Sequence, residues 1–261
     1  MLLDGRRALV TGSTSGIGLA VARALAAEGV RVMLNGFGDA DEIELQREAM
    51  AREFGVEVAY NGADLTDAAQ ATGLVEATQS AFGGLDILVN NAGVQYVSPI
   101  DEFPVEEWNK IIALNLTAVF LTMRACMPSM GEQRWGRIIN IASAHGLVAS
   151  ADKVAYVATK HAVVGATKVA AIELANDNVT VNAICPGWVL TPLVERQIAN
   201  RARSAGSDVA SESRRLLAEK QPMLAFTAPE SIGAMAVFLC SDAAATVTGA
   251  PLSIDGGWVA Q

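Results

Sequence analysis

Ser143, Tyr156 and Lys160 bring a hydroxyl, a phenol and an ammonium together within 18 residues of sequence. Tyr156 and Lys160 are four residues apart, a spacing that places two side chains on the same face of a helix. A phenol titrates near pH ~10, and a neighbouring ammonium would lower that pKa toward the range useful for proton transfer. Ser143 ends an apolar run, 137–143, that indicates a strand, so we expect its hydroxyl beside Tyr156. The three residues predict a proton-transfer centre acting on a carbonyl oxygen, although an ordinary surface pair has the same spacing.

A glycine-rich loop lies near the start of the chain. A short apolar strand at 8–10 leads into 11–18, which reads TGSTSGIG, and an alanine-rich helix follows at 19–28. In this context the glycines allow a tight turn, and the backbone amides and helix N-terminus can hold a pyrophosphate. The loop therefore predicts a dinucleotide site.

The end of the second strand, 30–34, is where such a site meets the adenosine ribose. An acidic residue there would indicate NAD and an arginine NADP, but Gly36 and Phe37 occupy the expected positions. Three acidic residues follow closely: Asp39, Asp41 and Glu42. They would repel a 2′-phosphate, or they would cap the next helix. NAD is the favoured cofactor, and both interpretations of the acidic residues remain open.

Strand and helix patterns alternate along the whole chain, which is typical of a parallel sheet covered on both faces. Strands are predicted at 8–10, 30–34, 57–60, 85–89, 137–143, 179–184 and 252–254. Helices are predicted at 19–28, 41–54, 67–81, 105–130, 154–176 and 229–240. The stretch 188–226 is irregular and charged, as in a mobile substrate lid. We predict a single α/β domain, 1–261: a Rossmann-type, doubly wound parallel seven-stranded sheet with a helical lid.

Composition narrows the classes of partner. The chain has 261 residues, 51% of them apolar, and a net charge of −9, which argues against nucleic acid. Three scattered cysteines and two histidines make a zinc site improbable and indicate free thiols. Neither a signal-peptide core nor an uninterrupted apolar run of ~20 residues is visible, so we expect a cytoplasmic protein that does not span a membrane. Helix 154–176 is apolar nearly all round, which suggests a partner subunit.

Taken together, these motifs resemble the short-chain dehydrogenase/reductase family across essentially the whole chain. The matching pieces are the loop 11–18, NNAG at 90–93, Asn115, Ser143, Tyr156 with Lys160, Pro186-Gly187 and DGG at 255–257. The resemblance implies a catalytic tetrad of Asn115, Ser143, Tyr156 and Lys160. In that role Tyr156 exchanges the proton, Ser143 binds the same oxygen, and Lys160 lowers the pKa of Tyr156 and binds the nicotinamide ribose. Asn115 would hold a water linking Lys160 to solvent, although a satisfied buried amide fits its mid-helix position equally well.

The same resemblance implies where the cofactor lies. Asp64 and Leu65 follow the third strand, where they would meet the adenine. The implied cofactor site comprises Gly12, Thr14, Ser15, Gly16, Ile17, Gly18, Phe37, Asp64, Leu65, Asn91, Ala92, Gly93, Tyr156, Lys160, Pro186, Gly187, Val189 and Thr191.

Five segments resemble a subgroup of the family, the bacterial D-3-hydroxybutyrate dehydrogenases. They are LNGFGDA at 34–40, ASAHGLVAS at 142–150, ICPGWV at 184–189, TPLVERQ at 191–197 and EKQP at 219–222. The implied substrate is 3-hydroxybutyrate or acetoacetate, bound by Gln95, Ser143, His145, Lys153, Tyr156, Trp188, Gln197 and Trp258. In this set the carboxylate is held by an ammonium and neutral donors, and the two tryptophans wall the methyl end. Structural or surface roles remain alternatives for His145, Lys153, Gln197 and both tryptophans.

Other functions stay open at this point. A carbonyl or 3-ketoacyl reductase of the same family would prefer NADP and a basic cofactor pocket, which the acidic balance disfavours. A non-catalytic NAD-sensing protein of the same fold should have lost part of the tetrad, yet all four members are present. The family resemblance implies a homotetramer. No metal is predicted, and a metal site at the terminal residue, Gln261, is left undecided.

Overall fold

The computed structural model describes residues 1–260, which form a seven-stranded parallel sheet in the order β3-β2-β1-β4-β5-β6-β7. This confirms the predicted Rossmann-type fold. The strands are β1 Arg7–Val10, β2 Arg31–Asn35, β3 Val58–Asn61, β4 Ile87–Asn90, β5 Gly136–Ile141, β6 Val179–Pro186 and β7 Pro251–Ile254.

Within residues 1–260, nine α-helices cover the sheet and form the lid. They are α1 Gly16–Ala27, α2 Ala40–Phe54, α3 Ala68–Phe82, α4 Val105–Ile112, α5 Ala118–Glu132, α6 Val154–Glu173, α7 Pro192–Ala205, α8 Val209–Ala218 and α9 Pro229–Cys240. Two hydrophobic cores lie on opposite faces of the sheet, one under α3, α5 and α6, the other under α1, α2 and α9. In β1, Leu9 packs into the first core, and Ala8 and Val10 pack into the second. Burial on both faces explains why the strands are continuous apolar runs.

The helix predicted at 105–130 is interrupted. A π-helical turn, Ala113–Thr117, joins α4 to α5 and contains Asn115. The Asn115 amide reaches sideways to the backbone of Val94, and an asparagine in mid-helix competes for backbone hydrogen bonds in this way. Such π turns occur frequently at functional sites, so the interruption marks this position for closer attention.

The segment Val105–Glu132 is long and apolar enough to cross a bilayer by length and composition. In the fold, however, Met123, Cys126 and Met130 are buried in the core under α5. Thr122 Oγ1 donates a hydrogen bond to Asn90 Oδ1 of β4 at 2.7 Å. The segment is therefore accounted for as a core element of the α/β fold.

The lid is more regular than its sequence suggested. Most of 188–226 consists of α7 and α8, which are tied by ion pairs around a buried carboxylate, Glu212. Glu212 accepts hydrogen bonds from Ser207 Oγ and Arg215 Nη1, and Arg201 bridges Glu212 and Glu219. These contacts join the two helices into one unit. Both helices are short and rich in charged residues, so few apolar positions mark them in the sequence, which is why the pattern appeared irregular.

Candidate active site

A cleft of about 1030 Å³ opens at the carboxyl ends of the strands. This is the edge where doubly wound folds bind ligands, because the winding reverses between β1 and β4. The cleft is lined by every predicted cofactor and substrate residue except Gly18, and by every predicted catalytic residue except Asn115. Both exceptions lie just beneath its surface.

At the centre of the cleft, Ser143 and Tyr156 share a hydrogen bond between their hydroxyl groups. Ser143 Oγ also accepts a hydrogen bond from the His145 N–H at 3.1 Å, which fixes the serine at the end of β5. Lys160 lies one helical turn beyond Tyr156 on α6, and its Nζ donates to the Ile141 carbonyl at 2.7 Å. The predicted grouping of hydroxyl, phenol and ammonium is present.

The predicted effect of Lys160 on Tyr156 is not found in the chain alone. Burial raises the pKa of Tyr156, and only the Ser143 hydrogen bond acts in the opposite direction. Lys160 Nζ lies 5.6 Å from the centre of the phenol ring and is engaged with a backbone carbonyl. Burial also lowers the pKa of Lys160 to about 8. Desolvation of both groups therefore outweighs their attraction, and Tyr156 stays a protonated phenol at neutral pH.

Asn115 holds the loop that follows β4. Its Oδ1 accepts from the Val94 N–H at 2.9 Å, and its Nδ2 donates to the Val94 carbonyl at 2.8 Å. A side chain on Gly93 would come within 3.2 Å of Asn115 Oδ1 and 3.7 Å of Lys160 Nζ, so this loop lies between the two residues. The side chain is thus a satisfied buried amide, and its predicted hold on a water stays a prediction.

The glycine loop forms a cradle of the right chemistry for a pyrophosphate. Ser15 precedes α1 without a side-chain cap, so the N–H groups of the first helical turn point toward the cleft. Gly16 has φ +57°, and a Cβ there would meet only the Thr191 side chain, at 3.4 Å. Gly18 lies under the loop, where a Cβ would come within 2.3 Å of the Gly12 carbonyl oxygen. Its role is the close packing of helix against loop.

At the predicted adenosine end, two hydroxyl groups fix the turn after β2. Thr14 Oγ1 donates to the Phe37 carbonyl at 2.9 Å, and the Tyr60 hydroxyl donates to the Gly36 carbonyl at 2.8 Å. Asp39 caps α2 by accepting from the backbone N–H groups of two following residues, which favours the capping interpretation for this residue. Asp64 accepts hydrogen bonds from Thr66, and these hold its pKa below the usual range.

His145 lies on the substrate side, buried between aromatic rings. Its ring makes edge contacts with Tyr156 and Trp258, at centroid distances of 5.9 and 5.0 Å, and its Nε2 lies 2.9 Å from Ser150 Oγ. Burial, followed by the charges of Lys153 and Lys220, lowers the pKa of His145 to about 4. At neutral pH the ring is therefore uncharged and acts only through hydrogen bonds.

Lys153 supplies a cation to the same region. It stands at the N-terminus of α6, lines the cleft, and has its Nζ 5.5 Å from the Trp188 ring centre. Burial lowers the pKa of Lys153, in partial opposition to the Glu219 charge. Trp188 and Trp258 lie 5.9 Å apart, and Gln95 and Gln197 line the cleft from the loop after β4 and from α7. The Lys153 ammonium, two amides and two indoles thus line the cleft that holds Tyr156.

The sequence missed several residues that line the cleft. Those with a recognisable signal lie on helices at i, i+3 or i+4 spacing: Asn109 and Ala113, and Leu193 and Arg196. The others are Asn35, Gly36, Ala63, Thr66, Val94, Lys110, Leu114, Ile141, Ala142, Pro192 and Val194.

Within residues 1–260, no three of the His, Cys, Asp and Glu side chains are placed together as a metal-binding group. The undecided terminal metal site falls on Gln261, which lies outside the described residues. Cys126, Cys185 and Cys240 are free and buried, as predicted.

Comparisons with known proteins agree with this geometry. A family profile described as enoyl-(acyl carrier protein) reductase matches residues 12–259. The D-beta-hydroxybutyrate dehydrogenase of Cupriavidus necator is 55% identical over 260 residues, covering 100% of both chains. The enzyme of the same name from Rhizobium meliloti is 49% identical, covering 98% of this chain and 99% of its own.

Solved structures extend the comparison. The crystal structure of levodione reductase superposes with a TM-score of 0.90, at 32% identity and 99% coverage of both chains. A putative 2-deoxy-d-gluconate 3-dehydrogenase from Agrobacterium tumefaciens, solved with bound NADP, has a TM-score of 0.85 at 34% identity, covering 99% of this chain and 98% of its own.

Proposed function

The chain belongs to the short-chain dehydrogenase/reductase family and uses a nicotinamide cofactor, and we propose that it oxidises (R)-3-hydroxybutyrate to acetoacetate with NAD. One observation carries the choice of substrate. The ammonium of Lys153 and the amides of Gln95 and Gln197 line the same cleft as Ser143 and Tyr156. A carboxylate would satisfy these donors, and two indoles leave room beside it for a small apolar group.

In the proposed reaction, the C3 hydroxyl of the substrate lies between Ser143 and Tyr156. The bound oxidised nicotinamide supplies the hydride acceptor for the C3 hydrogen. Ser143 Oγ donates a hydrogen bond to the substrate oxygen, and Tyr156, in its deprotonated phenolate form, takes up the hydroxyl proton as the C=O bond forms. In reduction Tyr156 returns this proton. The raised pKa of Tyr156 suits the reductive direction at neutral pH, and oxidation should become faster as the pH rises.

The choice of NAD rests on the adenosine end of the cleft. Among the described residues that line the cleft between positions 12 and 66, none is a lysine or arginine, and Asp64 carries a negative charge. A 2′-phosphate buried there would lack the cation it needs and would meet a like charge. The bound NADP named for the Agrobacterium structure belongs to that protein.

A carbonyl or 3-ketoacyl reductase would use the same Ser143, Tyr156 and Lys160. Lys153 disfavours an uncharged substrate. Burial already lowers the pKa of Lys153, and a neutral ligand would not compensate the charge of its buried ammonium.

We also propose a cytoplasmic homotetramer. Support comes from apolar side chains on the outer face of two neighbouring helices: Phe120 on α5 and Val169 and Ile172 on α6 are exposed.

The test is a spectrophotometric assay at 340 nm with purified protein. NAD and NADP are each offered with both enantiomers of 3-hydroxybutyrate, and lactate, malate and a secondary alcohol serve as controls. We expect reduction of NAD with the (R) enantiomer, with kcat/KM at least tenfold above every control. Equal turnover of the secondary alcohol would contradict the assignment of the substrate.

A further inference from the structure

Gln221 is a buried amide at the place where the lid returns to the sheet. The residue follows α8 closely and is 1% exposed. Its Oε1 accepts a hydrogen bond from the Trp188 N–H at 3.0 Å, and its Nε2 donates to the Ala225 carbonyl. Trp188 opens the lid segment and Ala225 lies at its end. One side chain therefore ties the outgoing arm of the lid to the returning arm.

The same side chain packs against two glycine turns. A Cβ built on Gly187, after β6, would come within 2.7 Å of Gln221 Oε1. A Cβ on Gly256, after β7, would come within 2.6 Å of Gln221 Cγ, and Gly256 has φ +59°. Contacts this close exclude any other residue type at the two turns without a shift of Gln221.

Each glycine turn carries one wall of the substrate pocket. Trp188 follows Gly187 directly, and Trp258 comes two residues after Gly256. The indoles lie 5.9 Å apart, and Trp258 in turn contacts His145 at 5.0 Å. The two turns also touch directly, since a Cβ on Gly187 would come within 2.9 Å of Asp255 Cα. The positions of the two walls thus depend on the one side chain that packs against both turns.

Other bonds keep the lid attached without Gln221. The Thr227 N–H donates to the Trp188 carbonyl at 2.9 Å, and the Leu190 N–H donates to the Thr227 carbonyl at 3.1 Å. An apolar side chain of the same size at position 221 would leave these bonds in place. It would leave the Trp188 N–H and the Ala225 carbonyl without a partner in a buried site, which favours a shift of both turns.

We propose that Gln221 is a positioning residue that sets the spacing of Trp188 and Trp258, and with it the length of acyl chain that the pocket accepts. This inference rests on the proposed oxidation of 3-hydroxybutyrate. Gln221 does not touch the reacting atoms in this scheme. It acts through the two indoles that enclose the methyl end of the substrate.

The test compares Gln221→Met with Asn182→Leu, a matched control. Asn182 in β6 is also 1% exposed and also bridges two backbone groups, because its Oδ1 accepts from the Ala250 N–H at 3.2 Å and its Nδ2 donates to the Val247 carbonyl at 2.7 Å. It does not line the cleft. Both variants lose the same two kinds of hydrogen bond in a buried site, and only one loses them next to the tryptophans.

We expect Gln221→Met to raise the KM for (R)-3-hydroxybutyrate about tenfold, the effect of losing one buried hydrogen bond. The value of kcat should stay within about twofold, since the proton-transfer groups are untouched. The preference for 3-hydroxybutyrate over 3-hydroxypentanoate, as a ratio of kcat/KM, should fall at least about fivefold as the wall loosens. Asn182→Leu should lower the thermal midpoint while keeping the wild-type KM and the wild-type preference.

A Gln221→Met protein with wild-type KM and wild-type preference would overturn the inference, as would equal effects in Asn182→Leu. If the methionine variant does not fold, Gln221→Glu keeps the acceptor for Trp188 and loses only the donor to Ala225, and it must then shift the preference in the same direction. Failure of the proposed function is recognised separately, as wild-type protein that does not oxidise 3-hydroxybutyrate. In that case tryptophan fluorescence tests the positioning role of Gln221. A red-shifted emission in the Gln221 variant alone supports this role, and unchanged emission overturns it.

Discussion

The cleft has a cofactor half, lined by the predicted cofactor residues, and a substrate half, lined by the predicted substrate residues. In the cofactor half the binding surface is mostly backbone, whereas in the substrate half it is mostly side chains. The loop after β1 is held by Asn91, whose Nδ2 donates to the Thr11 and Gly12 carbonyls at 2.9 Å each. Asn35 similarly ties β2 to the segment after β3 through the Asn61 and Ala63 carbonyls. Buried amides therefore fix the shape of this half, and main-chain N–H groups are left to meet the ligand.

The substrate half is assembled from separate segments of the chain. His145 and Lys153 come from the segment between β5 and α6, Gln197 comes from the lid, and Trp258 comes from the end of the chain. Each element can move relative to the others unless something ties them. We therefore expect a mutation in the cofactor half to act by changing the shape of the backbone. A mutation in the substrate half should act by removing a single side-chain contact.

Tyr156→Phe tests whether catalysis can be removed without loss of cofactor binding, and it should have the largest effect on kcat. Loss of the phenolic proton donor should lower kcat about 10³–10⁴-fold, because no other group next to Ser143 can exchange that proton. The NADH dissociation constant, measured by fluorescence titration, should stay within about twofold of wild type. Retained turnover would remove Tyr156 from the mechanism, and lost NADH binding would mean that the halves are not separable here.

Gly18→Ala tests the backbone half. The added methyl would come within 2.3 Å of the Gly12 carbonyl oxygen and 2.5 Å of Asn91 Nδ2, so the loop has to move. We expect NADH affinity to fall about 30- to 100-fold, and stability to fall by about 1–3 kcal/mol, the usual cost of overpacking.

Gly73→Ala is the matched control for this variant, because Gly73 is also helical, in α3, and a Cβ there meets nothing within 4 Å. It should raise stability by about 0.5–1 kcal/mol in urea unfolding, since alanine is the better helix former. Tight NADH binding by Gly18→Ala would show that the loop shape is not what holds the cofactor.

Lys153→Met tests the side-chain half. Removal of the half-buried ammonium while the stem is kept should raise the KM for 3-hydroxybutyrate about 10- to 50-fold, the scale of a lost partner for a buried charge. The NADH dissociation constant should not change. Lys168→Met, on the exposed face of the same helix, is the control and should have wild-type kinetics. An unchanged KM in Lys153→Met would contradict the carboxylate site.

The contrast also explains what could be predicted from the sequence. The glycine loop and the seven strands were predictable because a backbone-built site needs small residues and buried strands at fixed spacing. The influence of Lys160 on the pKa of Tyr156 stays a prediction. In the chain alone burial raises the pKa of Tyr156 and lowers that of Lys160, and this burial depends on how α6 packs against β5. Gln221 carried no signal of its own, since a glutamine next to a proline in a charged stretch looks like surface. Its packing against the two glycine turns arises only in the folded structure.

The smallest expected effect is a change in the free energy of unfolding with pH. It tests whether a residue of the substrate half can be changed without altering the cofactor half. The native pKa of His145 is about 4, below the value of 6.5 expected for an exposed histidine. A depressed native pKa means that the contribution of His145 to stability is fully present above pH 6.5 and is lost as the pH falls toward 4.

In urea unfolding, the excess free energy of unfolding of wild type over His145→Gln should therefore shrink by about 2 kcal/mol between pH 7.5 and pH 5. The pKa arises from burial and from Lys153 and Lys220, so Lys153→Met should itself reduce the shift. If the advantage over His145→Gln stayed constant with pH, the ring would be accessible to solvent, and the closed wall that it forms with Trp258 would have to be abandoned.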